Sequence, residues 1–284
     1  TPQGWLDMYN NFQSKALETD LGIPILYGID SVHGHNNLKG ATIFPHNVGL
    51  GAMAQGSLEK NDTKTAKEIV EKIGKITAEE MRATGMNFNF APCVAVVQDI
   101  RWGRAYESFG EDPKLQEVLA GAYIRGYQGE DYLIGQDRVV ATAKHFVADG
   151  ATEIGTGQET KILDKGNSII SEEDLRNVHL RGYEEAIENN VGSVMASFSS
   201  WNGENMHAQK YLLTDVLKNE LGFNGFIISD WEGIHWVQGK NFDERLIKSI
   251  NAGIDMVMEP FKWRMAISVL EDAVNNGEIK MSRI

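Results

Sequence analysis

The chain of 284 residues is long enough to bury a large core, either as one α/β barrel or as two smaller domains. Its formal charge of −13 argues against a nucleic-acid partner, because a phosphate backbone needs a basic footprint. No apolar run reaches the roughly 18 residues that a transmembrane helix needs, and Cys93, the only cysteine, excludes an intrachain disulfide. That cysteine usage fits a cytosolic protein and equally a large secreted one. No signal peptide is visible, but the chain opens on Thr1 rather than methionine, so that absence carries little weight.

In chain order, short apolar runs alternate with longer amphipathic stretches. Strands are predicted over Pro24–Asp30, Asn87–Pro92, Val139–His145, Ser193–Ser199, Gly225–Asp230 and Asp255–Met258, with a weaker one around Val48–Met53. Helices are predicted over Thr63–Ala83, Pro113–Gly126, Glu172–Glu188, Thr214–Leu221, Asp243–Ala252 and Trp263–Asn275. In the first of these, Ala66, Ile69, Val70, Ile73, Ile76 and Thr77 share a face, and Gly85 stands where a left-handed cap is expected. Ser171, with Asp174 three residues on, reads as a helix start.

Repeated strand–helix units imply a mostly parallel sheet covered by helices. Open doubly wound sheets and eightfold barrels both satisfy that pattern. The polar residues separate them. Apolar strands end at Asp30, Lys144–His145, Ser197–Phe198, Asp230 and Glu259, and a barrel gathers chemistry from many strand ends, whereas an open sheet concentrates it at one switch point. The expected class is therefore α/β, a (β/α)8 TIM-type barrel. Six clear strands and one weak one, against about eight in a complete barrel, suggest a chain incomplete at both ends. Met281–Ile284 reads like the start of another helix.

Four segments could carry chemistry. In GFIISDWEGI an apolar strand delivers Asp230 beside Trp231. An ionised carboxylate next to an aromatic platform suits attack at an anomeric carbon, while a helix N-cap or a buried ion pair is the plainer alternative for Asp230. In VVATAKHFVADG, Lys144 and His145 could both donate to hydroxyls, or be satisfied structural residues. Adjacent residues on a regular strand point to opposite faces, so irregular backbone is expected if both serve one pocket. In RWGRAYESFGED, Arg104 could clamp hydroxyls or a carboxylate, or pair with Glu107, Glu111 or Asp112. In GIDSVHGHNNLKGATIFPHN, Asp30 ends its strand and His33, His35 and His46 follow. A His-x-His pair with an Asp can hold a metal, but nothing completes a shell, so Asp30 as a hydrogen-bond acceptor is preferred and no metal is expected. GLGAMA at 49–54 brushes against a dinucleotide fingerprint but lacks a good preceding strand. Asn61–Thr63 matches a glycosylation acceptor, meaningful only in a eukaryotic secretory context.

Together, YGIDSVHGHN, ATIFPHNVGLGA, FAPCVAV, RWGRAYESFGED, ATAKHFVADG, MASFSSWNG and GFIISDWEGI resemble, in order, glycoside hydrolase family 3, particularly its β-D-glucan exohydrolases and β-glucosidases. The resemblance implies an eight-stranded α/β barrel in which Asp230 is the nucleophile of a retaining reaction. It implies that Asp30, Arg104, Lys144 and His145 bind the terminal glucose and that Trp231 walls the neighbouring subsite. Glu159 resembles the acid that supports the histidine, and Phe198 stands where relatives have Tyr. The β-N-acetylglucosaminidase branch carries KHFPGHG. The corresponding KHFVADG at 144–150 lacks the second His, which favours a glucosidase. The resemblance also implies that the general acid/base Glu belongs to a following domain absent from this chain. The first barrel strand is likewise expected to be missing, leaving residues 1–284 as a single catalytic barrel domain. In-chain Glu107, Glu232 and Glu259 have no motif that promotes them to the acid/base role.

The expected activity is exo-acting release of glucose from β-glucosides, oligosaccharides or β-glucan ends, without metal or organic cofactor. β-N-acetylglucosaminidase, β-xylosidase and a non-catalytic sugar-binding fragment are the alternatives. Family membership leans localisation towards the periplasm or secretion.

Overall fold

The computed structural model describes residues 1–129, 137–157 and 163–284. It opens on a helix, α1 (Pro2–Leu17), that periodicity does not predict. None of its residues is fully buried, so it has no clear apolar stripe. It starts on local signals instead: Thr1 accepts a hydrogen bond from the Gly4 N–H, and Pro2 takes the first turn. The strand β1 (Gly28–Ile29) keeps only the end of its predicted run. Next, α2 (Asn47–Leu58) replaces the weak strand expected at Val48–Met53. Periodicity alone does not distinguish a short apolar run in a strand from a buried turn of helix. Here Asn47, Leu50, Gly51 and Ala54 turn inward at helical spacing. The GLGAMA match therefore lies inside a helix and forms no phosphate-binding turn.

The amphipathic stretch forms α3 (Lys64–Ala83) as predicted, and Gly85 follows at φ +89°. Then come β2 (Phe88–Asn89), α4 (Pro113–Gln128), whose Asp112 caps the Lys114 N–H, and β3 (Val140–Phe146), buried at every residue. After β4 (Asn167–Ser168), Ser171 caps α5 (Glu172–Asp174) as expected. The helix predicted over Glu172–Glu188 is not continuous. A π turn, Leu175–His179, separates α5 from α6 (Arg181–Glu188). The remaining elements are β5 (Ser193–Ala196), β6 (Ser200–Trp201), β7 (Glu204–Asn205), a π-helical stretch at Tyr211–Glu220, β8 (Phe226–Ile228), α7 (Phe242–Ala252) and α8 (Trp263–Asn275). The strand expected at Asp255–Met258 is reduced to one parallel bridge, Ile228 to Met256.

The chain forms two compact units. One comprises Thr1–Val94, Tyr106–Ala143 and Arg181–Gly192, and the other comprises Ala95–Ala105, Lys144–Leu180 and Ser193–Ile284. In the first, β1 pairs in parallel with β2, and β2 with the start of β3. Helix α4 packs against both α3 and α6 over a core that includes Met81, Phe88, Leu119, Tyr123 and Tyr127. In the second, β5 and β8 run parallel, β4, β6 and β7 form a small separate sheet, and α7 and α8 close over Ile234, Leu246, Ile250 and Ile279. Parallel strands alternating with helices are the α/β class the sequence predicts. Among the described residues no helix is long and apolar enough to cross a membrane.

In the first unit the backbone of α2 touches the Phe109 carbonyl at Gly51, where a Cβ would overlap the oxygen. Because a helix and a loop backbone meet there, neither neighbour is a side chain that can swing away. Gly51→Ala is expected to destabilise the protein by roughly 3 kcal/mol or more, and a urea midpoint within error of the parent would refute this.

Candidate active site

The second unit gathers most of the candidate residues. Strand β8 is a run of apolar residues whose last, Ile228, is buried, and it delivers Ser229 and Asp230 to its end. The turn beyond it is braced at each step. The Ser229 N–H donates to the Met256 carbonyl (2.9 Å), the Asp230 N–H to His207 Nε2 (3.0 Å) and the Glu232 N–H to the Met258 carbonyl (2.9 Å). Ser229 Oγ accepts from the Met258 N–H at 2.8 Å. The Trp231 N–H donates to Asp230 Oδ1 at 2.6 Å. Asp230 does not cap an α-helix, since the next one, α7, is capped by Asn241.

Asp230 Oδ2 lies 3.7 Å from His145 Nε2, and the other ring nitrogen, Nδ1, lies 3.0 Å from Asp149 Oδ2. A carboxylate only accepts, so Nδ1 carries the proton and donates it to Asp149. Burial, then the positive charges of Arg104 and Lys144 and the neighbouring His207, holds the His145 imidazole well below its ordinary pKa. The ring is therefore neutral, with the Nε2 lone pair turned towards the Asp230 side. The strand end that carries it is irregular, as expected: the Lys144–His145 and Phe146–Val147 peptides are cis, and Ala148 sits at φ +66°.

Arg104, His145, Asp149, Lys165, Phe198 and Asp230 line one small recess. Lys144 is buried, and its charge acts on His145. Trp231 is half exposed and meets the exposed Phe261 edge-on, with centroids 6.4 Å apart. The two rings form an aromatic shelf beside the nucleophile candidate. Phe198 has no hydroxyl, and the Lys165 ammonium sits over its ring at 4.7 Å and over Trp236 at 5.4 Å.

Of the residues singled out from sequence, Arg104, Lys144, His145, Phe198, Asp230 and Trp231 all lie in this unit. Sequence reasoning misses Asp149, His207, Lys165 and Trp236. Asp149 stands four residues after His145 in a segment already singled out, but nothing in its spacing identifies it as the histidine's acceptor. Glu159, expected in that role, lies outside the described residues. Asp30 belongs to the first unit, exposed at the end of β1, with its carbonyl accepting from Asn37 Nδ2 at 3.1 Å.

Among the described residues, Asp30 and the three histidines after it are not brought together as one ligand group. His33 lies against His46 with ring centroids 4.1 Å apart and planes tilted by 42°, while His35 is buried with Nε2 2.9 Å from Thr84 Oγ1. Among the described residues, Glu232, His235 and Glu259 are the group whose ligand atoms come within 4.8 Å of one another. Glu259 is already engaged there: His235 Nε2 lies 2.6 Å from Oε2, and Oε1 accepts the N–H groups of Phe261 and Lys262.

Among relatives, the chain is 34% identical over 99% of its length to a lysosomal beta glucosidase of Dictyostelium discoideum. It is 34% identical over 86% of its length to a beta-xylosidase of Formosa agariphila. Among solved structures, it is 44% identical to the exo-1,3/1,4-beta-glucanase of a Pseudoalteromonas species, matching with a TM-score of 0.87 over 99% of this chain. The chain spans about a third of each of these proteins: 33%, 33% and 34% of their lengths. The family model described as the glycosyl hydrolase family 3 N terminal domain matches residues 2–284. With its parallel strands, intervening helices and strand-end carboxylate, the chain belongs to the glycosyl hydrolase family 3 N terminal domain family, whose fold is a TIM-type α/β barrel.

Proposed function

We propose that the polypeptide carrying this chain is a retaining, exo-acting β-glucosidase or β-glucan exohydrolase that forms a covalent glycosyl-enzyme on Asp230. The observation that carries this reading is the Asp230 carboxylate at the end of β8, 3.7 Å from a neutral, Asp149-anchored His145 in a recess shared with Arg104. An Asp230 oxygen bonds to the anomeric carbon as the bond to the aglycone oxygen breaks. A general acid protonates that leaving oxygen, then as base takes a proton from water, which attacks the same carbon, frees the carboxylate and releases the β-sugar. The acid/base is proposed to come from a further domain of the polypeptide, with residues 1–284 forming one catalytic domain.

Each residue in the chain has a role that its chemistry supports. Arg104 and Lys144 donate to ring hydroxyls. Nε2 of His145 accepts from one, and Asp30 is proposed, from its motif, as a further acceptor. Trp231 offers a face to the aglycone sugar, Phe198 packs without a hydroxyl contact, and Glu159 is proposed from its motif to support the histidine. Names of relatives support glucose over other sugars, but the beta-xylosidase at 34% identity favours xylosides as the second reading. Comparing nitrophenyl β-glucoside, β-xyloside and β-N-acetylglucosaminide turnover separates these.

Asp149→Ala removes a charge-assisted hydrogen bond worth about 1.5–3 kcal/mol and frees the His145 ring to change tautomer. It is expected to lower kcat/KM by about tenfold to a hundredfold, and unchanged kinetics would remove Asp149 from the site.

The direct test treats the full polypeptide with a dinitrophenyl 2-deoxy-2-fluoro-β-glucoside, whose activated leaving group needs little acid assistance. A stable adduct on the Asp230 peptide is expected by mass spectrometry. An adduct elsewhere, or none, would sink the nucleophile assignment.

A further inference from the structure

We infer that His207 is a positioning residue for the nucleophile, an uncharged acceptor that fixes the Asp230 backbone without placing a second negative charge beside its carboxylate. This deepens the proposed reaction and rests on Asp230 being its nucleophile.

Beyond β8 the turn needs acceptors for successive N–H groups. Main-chain carbonyls supply them for Ser229 (Met256) and Glu232 (Met258), but the Asp230 N–H between them is met instead by His207 Nε2 at 3.0 Å. An orphaned N–H at such a site would cost free energy and loosen the turn. The imidazole is fully buried and sits on a short turn, Met206–Ala208. The main-chain N–H of His207 donates to Asn205 Oδ1 at 3.0 Å, while Asn205 Nδ2 donates to the Phe198 carbonyl at 3.0 Å. The strand end carrying Phe198 and the turn carrying Asp230 are thereby tied through one histidine. Gly233 makes room for it, since a Cβ there would overlap the ring.

The chemistry of the acceptor matters. Nε2 accepts, so Nδ1 holds the proton and the ring is neutral. Burial pushes its pKa down to about 3, consistent with that state. A carboxylate in this place would also satisfy the N–H, but its charge would favour protonation of Asp230 and weaken the nucleophile. A protonated imidazole would set two N–H groups against each other. A neutral imidazole combines an acceptor, full burial and no charge. Sequence inspection passes over His207, because one histidine in an MHA turn has no spacing signature.

The test compares wild type with His207→Leu, His207→Gln and His207→Asn in the full polypeptide. The Gln amide oxygen stands near the place of Nε2, whereas the Asn oxygen stands near Nδ1. His207→Leu and His207→Asn are expected to lower kcat for a nitrophenyl β-glucoside by about 100-fold, with KM moving less than about threefold. The rate of fluoroglucoside labelling should fall in parallel, and His207→Gln should recover at least about tenfold of the loss. If the Leu variant fails to fold, the Gln–Asn contrast carries the test alone. Equal activity in Gln and Asn, or a Leu variant within about twofold of wild type, would overturn the inference. A wild-type label on a residue other than Asp230 would instead overturn the nucleophile reading, and the positioning role with it.

Discussion

Asp230→Asn in the full polypeptide is expected to lower kcat/KM for a nitrophenyl β-glucoside by at least about 10⁴-fold, about 5 kcal/mol of transition-state stabilisation. An amide oxygen is a poor nucleophile and brings no full charge to the oxocarbenium-like transition state. The substitution is nearly isosteric, and the Trp231 N–H that donates to Oδ1 can still find an amide oxygen. The His207 contact is to the Asp230 backbone, so it is untouched. Thermal unfolding should therefore shift little while turnover collapses. Ordinary turnover in the variant would refute the assignment. A large stability loss alongside the activity loss would mean that the carboxylate also holds the fold.

The second large effect is acid destabilisation below neutral pH. His207 and His179 are buried, and burial lowers their pKa values to about 3 and about 4 from 6.5. Asp174 opposes the shift at His179, but burial is the larger influence. In the unfolded chain these imidazoles take up protons as the pH falls through 6.5, whereas in the folded protein they remain neutral. The unfolded state then binds more protons, so the stability present above pH 6.5 is lost on acidification towards the folded pKa values. At about 1.4 kcal/mol per pH unit for each group, the pair removes roughly 5 kcal/mol by pH 4.5, a large share of a typical 5–15 kcal/mol total. His145, whose pKa burial also holds well below its ordinary value, acts in the same direction. Glu185, whose pKa burial raises, works against it. Urea midpoints measured from pH 7 to 4.5 should fall steeply, and His179→Gln should flatten the slope. A level profile over that window would contradict the neutral burial of these histidines.

Periodicity and strand ends carry much of this protein. The amphipathic pattern of α3 is strong enough for its 20 residues to be read directly. The apolar runs leading into Lys144–His145 and Asp230 mark the strand ends where chemistry collects, because a buried parallel strand tolerates polar residues only where it emerges. Local cues also suffice at Ser171, whose hydroxyl reaches the Asp174 N–H within one turn. They suffice for α1 in principle too, since Thr1 and Pro2 are a start signal, but with no residue fully buried there is no stripe for a periodicity reading to follow.

Tertiary packing decided the rest. Val48–Met53 is a helix because Gly51 lets its backbone lie on the Phe109 carbonyl, a contact between residues 58 positions apart. The expected strand at Asp255–Met258 shrinks to one bridge because only Met256 comes into ladder register with Ile228. The candidate site residues follow the same division. Asp230, His145 and Arg104 can be named from the residues that precede and follow them. The hydrogen bond from the Asp230 N–H to His207, 23 positions earlier, and the Lys165 ammonium between Phe198 and Trp236 join segments whose proximity no local pattern encodes. A sequence specifies which side chains are equipped for chemistry, but whether an imidazole there acts as base, acceptor or inert filler depends on which distant N–H the fold brings to it.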